Sequence, residues 1–272
     1  TRTSGGFHFT SEQTNAIRTC IVNSYKCCAI TGPPGTGKST ITTAICKYLI
    51  YKRPKCKIFI CTPTGRALQA MIEKTGEYIV REHSGTIHKC MGIFKYLQKE
   101  QYPDLIILDE AGMVNIFLYS KLIKQCNKFG CGLILLGDVK QLPPIGLGKP
   151  FDDIIRSSDI IHNVLTDIKR QQAGSLCNFI KNISAKKPDF SVKGFDNNNT
   201  VFIEQSFANE KDIRRLLQTT YKQYARDVKL SDIACISPQN KYNGGVERMN
   251  LMLQNLLNNN VPHYIGPYKK II

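Results

Sequence analysis

Tryptophan is absent from the 272 residues, so any stacking against a base falls to tyrosine, phenylalanine or histidine. Acidic residues are few: 21 Asp+Glu stand against 37 Lys+Arg, for a formal net charge of +16. That excess favours a polyanionic partner, of which nucleic acid is the commonest. Long apolar runs are missing too. No stretch approaches the roughly 18 consecutive apolar residues of a membrane helix. Residues 1–9 are polar and glycine-containing, without the apolar core of a signal peptide. No membrane association is expected. There is no initiator methionine, which reads as a fragment or a processed product. Cysteine itself is plentiful, at 11, but C-x-x-C pairs and zinc-ligand spacing are not there. Scattered thiols within apolar runs read as reduced, mostly buried side chains of an intracellular protein in a reducing compartment.

What is present is an alternation of apolar runs and amphipathic stretches. Residues 27–31, 57–62, 105–109 and 133–137 are expected strands. Each is aliphatic or β-branched and stops at polar, glycine or proline punctuation. Such near-continuous apolar strands suit a parallel sheet covered on both faces. Helices are expected between them at 11–24, 38–51, 66–80 and 116–128. The βαβα order predicts a doubly wound α/β domain over residues 1–150, with ligands at the carboxyl ends of its strands. A second, partial domain is expected over 151–272. Its strands are expected at 164–168, 201–203 and 233–237, and its helices at 176–184, 210–224 and 246–257. Asn197, Asn198 and Asn199 fall in a polar surface loop.

Three motifs carry chemistry. Gly32-Pro33-Pro34-Gly35-Thr36-Gly37-Lys38-Ser39 satisfies G-x-x-x-x-G-K-[ST] between a strand and a helix, the context of a phosphate-binding loop. Its backbone N–H groups and helix N-terminus attract phosphate oxygens. Residues Gly32, Pro33, Gly35, Thr36, Gly37, Lys38, Ser39 and Thr40 are therefore expected around a nucleotide. Lys38 would reach the β- and γ-phosphates and Ser39 would ligate Mg²⁺. The strand Leu105-Ile106-Ile107-Leu108 ends in Asp109 and Glu110. Asp109 suits the metal and Glu110 the attacking water. Downstream, Gly137-Asp138-Val139-Lys140-Gln141-Leu142-Pro143-Pro144 follows the next strand. Gln141 there would sense the γ-phosphate, and the two prolines stiffen the segment behind it.

In this order, the motifs resemble those of superfamily 1 helicases, especially the RecD/TraA type with an AAA_30-type P-loop motor. Phe9-Thr10 with Gln13, Ala16 and Ile17 looks like the adenine-reading Q motif, which implies that Gln13 contacts the base. Thr62-Pro63-Thr64-Gly65-Arg66-Ala67 is similar to motif Ia, and Thr86-Ile87-His88-Lys89 to the next strand-contacting motif. The resemblance thus assigns Pro63, Thr64, Arg66, Thr86 and His88 to single-stranded DNA. Asp109-Glu110-Ala111-Gly112-Met113-Val114 resembles motif II and the Gly137 segment motif III. Lys169-Arg170-Gln171 looks like motif IV, whose Arg170 would reach the γ-phosphate across a cleft between two RecA-like domains. Ile236-Ser237-Pro238-Gln239 with Gly245-Val246, Asn250, Gln254 and Asn258 is similar to a signature of the second motor domain.

The resemblance implies ATP-dependent 5′→3′ movement on single-stranded DNA with duplex unwinding, using ATP and Mg²⁺. Two other readings remain open on the residues. One is a nucleotide- and strand-binding module without translocation, and the other is an NTPase acting on RNA. The chain departs from the family pattern twice. Gly112 stands where serine is usual, and nothing after Asn260 resembles motifs V and VI, so a C-terminally truncated piece is expected.

Overall fold

The computed structural model describes residues 8–24, 26–167, 182–183, 210–224, 235–241 and 244–257. The chain divides into two compact units, Thr1–Thr200 and Val201–Ile272.

The first unit is built on β1 (Cys27–Thr31), β2 (Ile58–Thr62), β3 (Gly85–Thr86), β4 (Leu105–Leu108), β5 (Gly132–Gly137) and β6 (Ile161–Val164). They form one sheet in the order β3-β2-β4-β5-β1-β6, and every pair is parallel. The helices are α1 (Ser11–Val22), α2 (Lys38–Lys52), α3 (Gly65–Thr75), α4 (Ile87–Ile93), α5 (Ile116–Phe129) and α6 (Pro150–Arg156).

The strands β2, β4 and β5 are buried at every position because both faces are covered, and almost every residue in them is apolar or glycine. Successive side chains alternate between two cores. On one face Phe59, Ile106, Leu108, Leu133 and Leu135 pack with Tyr119 and Leu122 of α5. On the other Ile58, Ile60, Leu105, Ile107 and Ile134 pack with Ile41, Ile45 and Leu49 of α2. The edge strand β6 is apolar only in part and largely uncovered, with Ile161 and Val164 exposed.

The expected central strands and the helices at 11–24, 38–51 and 116–128 are present to within two residues. Three expectations need correcting. The helix expected over 66–80 stops at Thr75, where Gly76 caps it; Tyr78 and Ile79 instead lie in the turn and bend that follow, packed against the α2-side core. The strand expected at 164–168 runs from Ile161 to Val164. Because it pairs with β1, and because Phe151 of α6 is buried in the first core, the boundary expected at residue 150 moves to 200/201.

In the second unit, α7 (Glu210–Tyr224) and α8 (Val246–Leu257) appear where their amphipathic patterns place them. Residues 235–237, the described part of the strand expected at 233–237, carry no regular structure. Ser237 Oγ donates to the Gly244 carbonyl at 2.7 Å, and the Val246 N–H to that of Gln239, closing the turn before α8. The strand expected at 201–203 lies outside the described residues, as does all but 182–183 of the helix expected at 176–184. Among the described residues no helix is long and apolar enough to cross a membrane.

Candidate functional site

The carboxyl ends of β1, β4 and β5 meet at one cleft of about 290 Å³. Pro34, Gly35, Gly37, Lys38, Ser39 and Thr40 line it from the loop between β1 and α2, Asp109 and Glu110 from the end of β4, and Gln141 from beyond β5. Gln13 reaches it from α1 and Lys74 from α3.

The loop holds its shape through glycines and a buried glutamine. Gly35 and Gly37 both stand at φ 88°, a left-handed conformation that side chains disfavour. A Cβ at Gly37 would come within 2.5 Å of Gln13 Nε2, and one at Gly32 within 2.7 Å of the Leu165 carbonyl. Gln13 is buried and its amide is committed at both ends: Nε2 donates to the Thr36 carbonyl at 2.9 Å, and Oε1 accepts the Thr10 N–H at 3.0 Å. The residue expected to read a base therefore braces the phosphate loop. Thr36 turns inward, donating to the Pro33 carbonyl, and neither it nor Gly32 nor Pro33 lines the cleft. Lys38 donates to the carbonyls of Gly32, at 2.5 Å, and Pro33, at 3.2 Å.

The carboxylate pair is shaped by its backbone. Glu110 stands at φ 52°, ψ 40°, the one non-glycine residue of positive φ among the described residues. Such a conformation costs on the order of 1–3 kcal/mol and persists where surrounding structure enforces it. Here the Glu110 N–H donates to Asp109 Oδ1 at 2.9 Å, and the following turn is tied down by Tyr119 Oη donating to the Ala111 carbonyl. The kink lets two consecutive carboxylates face one cleft. Burial, and then the charge of Glu110, push the Asp109 carboxyl up to about 6, against the pull of Lys38 and Lys74.

Asp109, Ser39 and Glu110 offer hard oxygen donors around this buried charge, which fits Mg²⁺. Among the described residues no cluster of three or more His, Cys, Asp or Glu could hold a metal alone. Mg²⁺ is usually bound by one or two carboxylates together with substrate phosphates.

Gln141 lines a second cavity as well, of about 180 Å³, with Gly112, Asp138, Pro143, Pro144 and Phe151. Asp138 is buried and its Oδ1 accepts the Lys140 N–H. The Val139 N–H donates to Thr31 Oγ1 at 3.4 Å, linking this segment to the strand that feeds the phosphate loop. Leu142 and Ile145 are 85% and 95% exposed, so the loop beyond Gln141 projects from the core. A Cβ at Gly112 would stand 3.2 Å from the Asp138 carbonyl, so the glycine lets the motif II turn and the motif III segment approach closely.

The residues assigned to a strand gather elsewhere. Thr62 pairs with Thr86 in the β2–β3 ladder, which sets Pro63, Thr64 and Arg66 beside Thr86 and His88 at one end of the sheet. Thr64, Arg66 and His88 are exposed. Thr64 and Thr86 also cap α3 and α4, accepting the N–H groups of Ala67 and Lys89. Arg170, with Lys169 and Gln171, and Asn258 lie outside the described residues.

Sequence reasoning missed Lys74 and Glu12. Lys74 is an ordinary exposed lysine on α3 until the fold turns it to Asp109. Glu12 accepts from the Thr166 hydroxyl at 2.6 Å and from the N–H groups of Thr166 and Asp167, holding the chain as it leaves β6.

A parallel sheet with a phosphate loop after β1 and paired carboxylates after β4 defines a P-loop NTPase. The AAA_30 family, described as an AAA domain, matches residues 8–206. The chain belongs to this family. It is 33% identical over 149 residues to the ATP-dependent RecD2 DNA helicase of Deinococcus radiodurans, covering 53% of this chain and 19% of that protein. It is 34% identical over 137 residues to the RecBCD enzyme subunit RecD of Buchnera aphidicola subsp. Schizaphis graminum, covering 43% and 23%. Among solved structures, the Pif1 helicase of Candida albicans shares the fold at a TM-score of 0.54 and 21% identity, covering 81% of this chain and 56% of that one. The chain spans about a fifth of the length of the two curated relatives.

Proposed function

We propose that this chain is motor machinery of an ATP-dependent DNA helicase, which hydrolyses ATP to move 5′→3′ on single-stranded DNA and unwind duplex. The observation that carries the reading is the single cleft in which Lys38, Ser39, Asp109, Glu110 and Gln141 meet. The RecD2 relative, an ATP-dependent DNA helicase by name, supports DNA as the track, and the net charge of +16 is in keeping with it. The polarity rests on the family resemblance.

In this reading the loop N–H groups and Lys38 hold the β- and γ-phosphates, and Ser39 and Asp109 hold Mg²⁺, which when bound neutralises phosphate charge. Glu110 orients the attacking water and takes its proton. Gln141, placed between the nucleotide cleft and the second cavity, passes the loss of the γ-phosphate to the Pro143-Pro144 segment. Pro63, Thr64, Arg66, Thr86 and His88 hold the strand.

Steady-state ATPase assays with single-stranded DNA, single-stranded RNA or neither test the proposal. Turnover is expected to rise with DNA more than with RNA and to vanish in Lys38→Ala. Unimpaired turnover in that variant would sink the mechanism. Binding of nucleotide and strand without stimulated turnover would make the chain a binding module, and stronger stimulation by RNA would reassign the track.

A further inference from the structure

Away from the nucleotide cleft, a depression of about 340 Å³ lies between α4 and α5. His88, Met91 and Gly92 face it from α4, with Lys95 just past that helix, and Leu118, Lys121 and Gln125 from α5. These positions recur at intervals of three and four, so each helix turns one stripe to the same space. The floor is apolar, with Met91 buried and Leu118 half-buried. The rim is basic: Lys95, Lys121 and His88 are exposed, and no acidic side chain lines the depression. Gln125 closes the α5 side of the depression, half-buried beside Leu118 and Lys121.

We propose that this depression is a nucleotide subsite for single-stranded DNA. It rests on the reading that the strand passes Thr86 and His88, and it carries that path on between the helices. One unstacked base lies on Met91 and Leu118. The phosphates on either side meet Lys95 and Lys121. An apolar floor with a cationic rim matches a base between two phosphates, which a uniformly charged or uniformly apolar partner would not. A duplex keeps its bases stacked inside and cannot place one on this floor.

The test uses the full 272-residue chain and labelled oligodeoxynucleotides, with anisotropy read from about 50 to about 200 mM salt, the range over which phosphate contacts show. In the variant combining Lys95→Ala and Lys121→Ala, the slope of log affinity against log salt should fall in magnitude by about 1.4, about 0.7 per lost phosphate contact on a single strand. Affinity at the low-salt end should drop several-fold. A control combining Lys47→Ala and Lys52→Ala on exposed positions of α2 removes the same charge and should leave the slope at the wild-type value. Walking one abasic site along the oligonucleotide should reveal a position whose base matters to the wild type and not to Leu118→Ser. An unchanged slope in the Lys95/Lys121 variant, a loss equalled by the control, or equal competition by blunt duplex overturns the subsite. If the wild type shows strand-stimulated ATPase while the groove variants behave as wild type, the subsite alone fails. If the wild type binds no strand, the strand reading and the subsite fail together.

Discussion

Asp109 and Glu110 are neighbours in sequence whose side chains would diverge on a regular strand. The left-handed backbone at Glu110 turns both into the cleft. Their closeness has a pH consequence. Asp109 is raised from 3.8 to about 6, first by burial and then by the Glu110 charge. Its ionisation is thus easier in the unfolded chain, and the stability linked to its neutral form is lost as the pH rises through about 6. Metal holding needs the ionised form, so affinity for magnesium-bound nucleotide should decline as pH falls below about 6. Glu110→Gln removes the like charge and should shift that acid midpoint downward; Lys74→Ala removes an opposite charge and should shift it upward. Titrating binding of a non-hydrolysable analogue against pH reads both without requiring turnover, and midpoints that stay fixed would sever the link to Asp109.

At the scale of elements, α1 does more than cover the sheet. Its capping box joins Thr10 to Gln13, and the same glutamine braces the phosphate loop. Thr10→Ala should cost about 1 kcal/mol through the lost cap. It should also weaken nucleotide binding, because Gln13 would be held less firmly against Thr36, while Thr10→Ser should restore both. Denaturant melts and nucleotide titrations of the two variants check this. Strands β1, β2, β4 and β5 were legible because each is a short aliphatic run ended by polar or glycine residues. β3 and α4 were not predicted as elements: a two-residue strand has no periodicity, and α4 begins at once behind the Thr86 cap. The end of α3 was overrun because Tyr78 and Ile79 continue the apolar pattern after the chain has left the helix.

Across the whole molecule, strand order brings the site together. β1 lies between β5 and β6, and β4 lies beside β5, so loops more than 70 residues apart in sequence (Lys38 and Asp109) open at one edge of the sheet. Ile107 sits at the centre of this arrangement, fully buried in β4 between Ile60 and Ile134. Ile107→Ala should cost about 2–5 kcal/mol, as cavities in close-packed cores do. Nucleotide affinity should fall with it, since β4 carries Asp109; a melt matching the wild type would show that the strand tolerates the cavity. The sequence by itself determined the local pieces: the phosphate loop, the paired carboxylates, the Gln141 segment and the central strands. Each of these depends on conformational preferences and spacings within about ten residues. Only the tertiary structure decided that β6 belongs to the first sheet, that Lys74 faces Asp109, that Gln13 serves the loop, and that Lys95 and Lys121 rim one groove between α4 and α5. The reason is physical: those relations are set by which strands pair and which faces pack across large separations, and no local pattern encodes them.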